Sequence, residues 1–200
     1  KMVNEFKEID LFKFLLHEKY DDFDGIIGYV KMIIDYEKTR KRLYNIRRKW
    51  CFETVKCEMK LLGEIINKSK TGKTLPKNER NGNLYPYYGT GGITGRVDKF
   101  LFDGVSIIFS HDGSSGNVQL VHGKFWCNHH IRLLKFNTNI NEMYMYNYLS
   151  LYNFDKYIKN NSIPSLGYNI LQKIKIPVPS LSDQEKVVKM IDDINKEESD

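Results

Sequence analysis

The residues richest in reactive chemistry are Cys127-Asn128-His129-His130, with His111 and His122 upstream. Thiolate and imidazole are zinc ligands, and a His-Asn-His set suggests an HNH-type nuclease. Neither a paired C-x-x-C nor a spaced H-x-x-x-H occurs, and closed zinc sites are built on such spacings. Read as a strand, the run places His129 and His130 on opposite faces. Glu58-Met59-Lys60 is an E-x-K of the type used by metal-dependent nucleases, but no upstream Pro-Asp partners it. Asp21, Asp22 and Asp24 lack the EF-hand spacing, and no Glu closes the loop at the required distance. A solvated loop is the reading there.

Two glycine-containing runs imitate phosphate-binding loops. Ser69-Lys70-Thr71-Gly72-Lys73-Thr74 lacks the first Gly of a P-loop, and no buried strand precedes it. Gly89-Thr90-Gly91-Gly92-Ile93-Thr94-Gly95 matches part of a dinucleotide fingerprint, but RVDKFLFDG follows it and reads as strand and turn rather than helix. Tyr85-Pro86-Tyr87 is not the Asn-Pro-Pro-Tyr-like loop of an adenine methyltransferase, and no Ser/His/Asp set stands in a recognisable context. The expectation is a non-enzyme with no cofactor and no metal.

The elements that carry these residues centre on 84–134. Short apolar runs, Ile107-Ile108-Phe109, Val118-Gln119-Leu120-Val121 and Ile131-Arg132-Leu133-Leu134, alternate with turns of Gly, Asp, Asn and Ser. This predicts a compact β-rich unit whose turns present polar side chains. Ser110–Asn117 reads as a polar loop between two strands, and its Ser, Asn and His side chains suit base edges or phosphates. Residues 67–83 read as a flexible polar loop whose Lys70, Lys73, Lys77 and Arg80 suit DNA phosphates. Arg96 and Lys99 flank the glycine run.

Residues 4–24 suggest a buried helix followed by a break at Tyr20–Gly25. Residues 26–58 read as a longer helix, with Ile26, Tyr29, Val30, Ile33 and Ile34 on one face. Asn141–Ile158 is rich in Tyr, Met and Leu at helical spacing, which predicts core packing. Ile174–Val178 reads as a closing strand stopped by Pro177 and Pro179. Ser182 and Glu185 have capping-box spacing, and Val187, Ile191 and Ile194 then line one helical stripe of about four turns.

Charge is unevenly distributed along the 200 residues. The formal net charge is +6, made up of +2 in residues 1–58, +8 in 59–179 and −4 in 180–200. A central basic excess favours a polyanion through counterion release. There is no run of eighteen apolar residues, so no transmembrane helix is expected, and the first ten residues carry no apolar signal-peptide core. Three cysteines cannot all pair internally, which points to a reducing, cytoplasmic compartment.

An ordered series of short motifs adds a family resemblance. They are Pro86-Tyr87-Tyr88-Gly89, Gly91–Gly95, Asp103-Gly104, Asp112-Gly113, Gly116, Phe125-Trp126, Ile163-Pro164, Leu171, Ile174, Ile176–Leu181 and Gln184. Over about residues 60–194 the chain resembles the specificity subunits of type I restriction–modification systems, with one target recognition domain followed by the start of a conserved helix. The resemblance implies an α+β fold: a curved, Gly-rich, irregular β-sheet recognition domain with flanking helices and a C-terminal helix. The chain divides into a helical N-terminal region (1–58), which the resemblance does not cover and whose role is open, a recognition-like domain (59–179) and the start of a coiled-coil-type helix with an acidic tail (180–200).

The function so implied is sequence-specific binding of double-stranded DNA. Methyltransferase and restriction subunits would be partners that perform the chemistry. The family reads a bipartite site with two such domains. A single domain would read a half-site and self-associate through the C-terminal helix to restore two-fold geometry. The candidate DNA-binding residues are Lys73, Lys77, Arg80, Arg96, Lys99, Ser114, Asn117, Asn128, His130, Lys159, Asn161 and Tyr168. Two other readings stand beside this one. One is a protein-interaction module that reuses the recognition fold. The other is a piece of a fused restriction–modification enzyme with its catalytic domains elsewhere.

Overall fold

The computed structural model describes residues 23–112, 116–158 and 165–199. Ser114, Lys159, Asn161 and residues 4–22 of the helix expected over 4–24 lie outside the described residues. The chain divides into two units between Ile46 and Arg47.

The described part of the first unit is helical, the leading stretch of α1 (Phe23–Cys51). The expected break does not include Phe23, Asp24 and Gly25, which are helical. The apolar residues recur at helical spacing, yet Val30, Ile34, Leu43 and Ile46 are exposed. Pairs such as Asp35–Lys38 and Glu37–Arg40, three residues apart, support the polar surface. α1 ends at Cys51 rather than near residue 58. The Phe52 and Glu53 amides close a turn onto the Lys49 and Trp50 carbonyls, and the Thr54 hydroxyl donates to the Cys51 carbonyl at 2.7 Å. These bonds satisfy carbonyls that a helix end would leave open.

The second unit is built on sheets. β1 (Glu58–Leu61) leads through a single helical turn, α2 (Leu62–Ile65), into β2 (Ile66–Thr71). The hairpin β3 (Tyr85–Gly89) and β4 (Gly92–Val97) follows, then β5 (Ser106–Ser110), β6 (Val118–Val121), β7 (Trp126–Cys127) and β8 (Ile131–Phe136). α3 (Glu142–Leu151), the short α4 (Tyr168–Leu171), β9 (Lys175–Val178) and α5 (Leu181–Ser199) complete it. The sheet orders are β1-β9, β2-β8-β5-β6 and β4-β3-β7. All pairings are antiparallel except β3 with β7.

β5 is buried along its whole length, as its apolar run demands. One core joins Ile108, Val121, Phe125, Cys127, Ile131 and Leu133, with Tyr88 and Phe102 against it. A second joins Leu75, Tyr87, Val97 and Trp126 under the hairpin. The loop expected over 67–83 is a strand as far as Thr71. β2 is a sheet edge with mostly exposed polar side chains, so it carries no apolar alternation to reveal it. Pro177 does not stop β9, which pairs with β1 through Val178.

α5 is capped earlier than its sequence suggests. Ser180, not Ser182, accepts from the Asp183 amide at 3.2 Å and donates to the Asp183 carboxylate at 2.9 Å. Its length, about five turns by helical rise, exceeds the four expected. Val187, Ile191 and Ile194 are buried as the stripe predicts. Next to the cap, Gln184 is fully buried. It accepts from the Asn141 amide and donates to the Asn139 and Pro179 carbonyls, at 2.8, 3.0 and 3.0 Å. The side chain thereby joins α5 to the start of α3. Arg47 pairs with Glu197 at 2.6 Å, and Arg48 meets Asn195 at 2.8 Å and Glu198, which fixes the far end of α5.

Replacing Gln184 with Ala leaves these buried backbone groups without partners. We expect a loss of roughly 2–4 kcal/mol, read as a lowered denaturant midpoint for the 200-residue chain.

Candidate nucleic-acid interface

Antiparallel pairing gathers the turns at one end of the four-stranded sheet. Ser110 is opposite Ile131 and Thr71 is opposite Arg132. The ends of β2 and β5 therefore meet the starts of β6 and β8. The β3–β4 turn is drawn to the same end by one carbonyl, Thr90 O, which accepts from Ser110 Oγ at 2.9 Å and Asn117 Nδ2 at 2.7 Å. The segment entering α4 joins them. Asp112 bridges to Ser165, and the Leu166 amide donates to the His111 carbonyl at 2.8 Å.

Gly72 sits where two turns come closest. Its amide donates to Ile131 O, and the next amide, Lys73, donates to Cys127 O, both at 2.9 Å. A Cβ at position 72 would lie 2.2 Å from Asn128 O and 2.4 Å from Cys127 O. Glycine is required there by space. Trp126 Nε1 donates to Lys73 O and ties the same loop to the hairpin core.

This end is rich in side-chain nitrogens and poor in carboxylates. Asp112 Oδ2 lies 3.3 Å from His111 Nε2 and 3.2 Å from His130 Nδ1. The His129 and His130 rings have centroids 3.8 Å apart, and His129 Nδ1 meets the Thr74 hydroxyl. These histidines occupy a turn and stack on one another, so the strand-based expectation of opposite faces is corrected. Among the described residues no group of three His, Cys, Asp or Glu is arranged to hold a metal ion. Burial lowers the His111 pKa below its ordinary value. Arg132, His130 and His129 push the same way, while Asp112 opposes them.

Arg132 leaves β8 at this end. Its guanidinium carbon stands 4.2 Å from the centre of the Tyr168 ring, and Nη1 donates to Ser69 Oγ at 3.1 Å. Arg132 and Asp112 are not among the residues that sequence pattern singles out for DNA, whereas His111 lies in the polar loop expected to meet it. A lone cation inside the apolar run Ile131–Leu134 was the available signal.

The predicted residues fall into groups. Lys73, Asn117, Asn128, His130 and Tyr168 are brought to the turn end, Asn128 accepting from the His130 amide at 3.0 Å. Lys77 is exposed on the short helical turn Lys77–Glu79. Arg80 donates twice to Leu75 O and lies over the Tyr87 ring. Arg96 donates to Asn83 O and Leu84 O at 2.8 and 2.9 Å. Lys99 pairs with Glu79. Arg80, Arg96 and Lys99 thus fasten the 75–84 segment, and Arg96 belongs to the half of the hairpin away from Thr90.

The family model for the type I restriction modification DNA specificity domain matches residues 54–199. The chain belongs to that family. It is similar to a putative type I restriction enzyme specificity subunit, S.HindORF215P, of Haemophilus influenzae, with 31% identity over 141 residues, covering 68% of this chain and 36% of that protein. The EcoprrI specificity subunit of Escherichia coli is 28% identical over 163 residues, covering 76% and 40%. Among solved structures, the S subunit from M. genitalium matches with a TM-score of 0.63 at 23% identity, over 88% of this chain and 52% of that one. HsdS from Thermoanaerobacter tengcongensis gives 0.59 at 13%, over 88% and 50%. The chain therefore spans less than half the length of these curated relatives and about half of these solved subunits. The structural likeness carries the α+β fold. Specificity subunits of type I systems are non-catalytic. Among the described residues no helix is long and apolar enough to cross a membrane.

Two outcomes test this site of the specificity domain. Gly72→Ala is expected to cost about 1–3 kcal/mol through overpacking, whereas Gly91→Ala, with open space around it, should leave the unfolding midpoint unchanged. For His111, the unfolded chain holds the proton more readily than the folded one. Its stabilising contribution is therefore present above the unfolded value of 6.5 and is lost as pH falls below it. Thermal midpoints should drop as pH falls below 6.5, and His111→Gln should flatten that drop.

Proposed function

We propose that this chain binds double-stranded DNA sequence-specifically through the turn end of its four-stranded sheet, as the recognition part of a type I specificity subunit. The observation that carries the reading is the convergence there of His129, His130 and Arg132 about His111, with a single carboxylate, Asp112, against His111 and His130. The +8 balance of residues 59–179 supports it. Lysines such as Lys73 and Lys77 would supply phosphate affinity, and Asn117, Asn128 and His130 would meet base edges. Arg80, Arg96 and Lys99 would act by holding the loop that carries Lys77. Ser114, Lys159 and Asn161 remain candidates on sequence alone.

In this reading residues 59–179 form the recognition domain in a cytoplasmic complex, and methyltransferase and restriction subunits do the catalysis. One solved neighbour, described by its complex assembly and conformational transition in a type I R-M system, supports placing such a fold in an assembly. Self-association through α5 would need its outer face, because Val187, Ile191 and Ile194 are buried within the chain. A second reading, a protein-interaction role for the N-terminal region, draws on the exposed Leu43 (57%), Ile46 (53%) and Trp50 (60%) of α1.

Selection of bound duplexes from a random pool, at low and moderate salt, tests the proposal. A short enriched motif that survives moderate salt is expected. Lys73→Gln with Lys77→Gln should weaken all duplexes alike and reduce the slope of log affinity against log salt by about 2. Binding without a motif that vanishes with salt would reject sequence reading and favour the interaction role.

A further inference from the structure

Arg132 is built unlike the other basic residues of this domain. It stands between Ile131 and Leu133, both buried, on a strand paired on both sides. Its side chain is half-buried, and its Nε is buried with no hydrogen-bond partner among the described residues. No carboxylate among the described residues lies within ion-pairing distance. The nearby anion, Asp112, is engaged by His111 and His130 instead. Retaining a half-buried guanidinium without a counter-anion costs stability. The side chain is nevertheless held in place, by the Tyr168 ring, whose centre lies 4.2 Å from the guanidinium carbon, and by Ser69 on Nη1 at 3.1 Å. Ser69 takes one Nη1 proton. The other and the pair on Nη2 stay available to a planar partner with two acceptors.

We propose that Arg132 is a specificity-determining residue that reads a guanine, with Tyr168 and Ser69 as positioning residues that aim its guanidinium at O6 and N7. The assignment rests on the DNA-reading proposal and names one contact within it. Long exposed lysines such as Lys73 and Lys77 suit phosphates, which present charge in many directions. A fork held against a ring and tethered at Nη1 suits an acceptor pair at one fixed place, and the guanine major-groove edge is that pair. The contact with the ring and the bond to Ser69 together restrict the directions in which the remaining N–H bonds approach.

The experiment is random-duplex selection with the 200-residue chain, followed by competition binding of the enriched duplex and its single-base variants. The variants are Arg132→Lys, Tyr168→Phe and Tyr168→Leu, each first shown to unfold cooperatively with a wild-type-like midpoint. Wild type should enrich a motif with one fixed guanine. Arg132→Lys keeps the charge and loses the fork. It should keep the rest of the motif and lose discrimination at that guanine by about ten- to a hundredfold. Tyr168→Phe should match wild type, and Tyr168→Leu should blur the same position only. Equal weakening of all duplexes by Arg132→Lys, with the motif intact, would make Arg132 a phosphate contact and overturn the assignment. Unchanged binding and motif would make it structural and also overturn it. If wild type enriches no motif at moderate salt, the DNA-reading proposal fails on its own, before any variant is compared, and the guanine assignment fails with it.

Discussion

The register of β8 against β2 and β5 is the constraint on which the interface depends. β8 is paired on both sides, and its Ile131, Leu133, Leu134 and Phe136 are buried while Arg132 and Lys135 are only partly so. A slip of one residue would drive Arg132 into the core and expose a leucine or isoleucine. With the register fixed, Ile131 O is in place for the Gly72 amide, and the Cys127–Ile131 turn is in place for Lys73. The second sheet is then secured through Thr90 O, which Ser110 and Asn117 both reach. Turns from distant parts of the chain thus share one framework of backbone bonds. The exposed side chains they carry, such as Lys73, lie outside that framework.

Much of this was legible in the sequence where local pattern decides. The apolar runs at 107–109, 118–121 and 131–134 became β5, β6 and β8, because β-branched and aromatic residues fit a buried pleated surface. The glycines at 89–95 became a hairpin. The stripe Val187, Ile191 and Ile194 became the buried face of α5. The ordered motifs were enough to indicate the specificity family. What stayed hidden depends on partners far away in sequence. β2 is a polar edge strand defined by β8. The true cap of α5 lies at Ser180, where Gln184 is anchored by carbonyls from both the α3 approach and Pro179. His129 and His130 stack because the chain turns after Cys127.

The candidate site divides the same way. Sequence chose basic and polar residues by type, and it could not tell a solvated cation from one bound to its own backbone. Arg80 and Arg96 are occupied with the Leu75, Asn83 and Leu84 carbonyls, so their charge fastens a loop. Arg132, hidden within an apolar run, is the cation aimed at the turn end by an aromatic ring. Net charge explains attraction to a polyanion, whereas discrimination among sequences needs fixed geometry.

Amide hydrogen exchange of the 200-residue chain with and without its selected duplex tests the central claim most directly. The account predicts slowed exchange at Gly72–Leu75, Thr90–Gly91, His111–Asp112, Asn128–His130 and Leu166–Tyr168, with the helices at either end of the chain unaffected. Slowing confined to Phe23–Cys51 or Leu181–Ser199, with the turn segments unchanged, would contradict it.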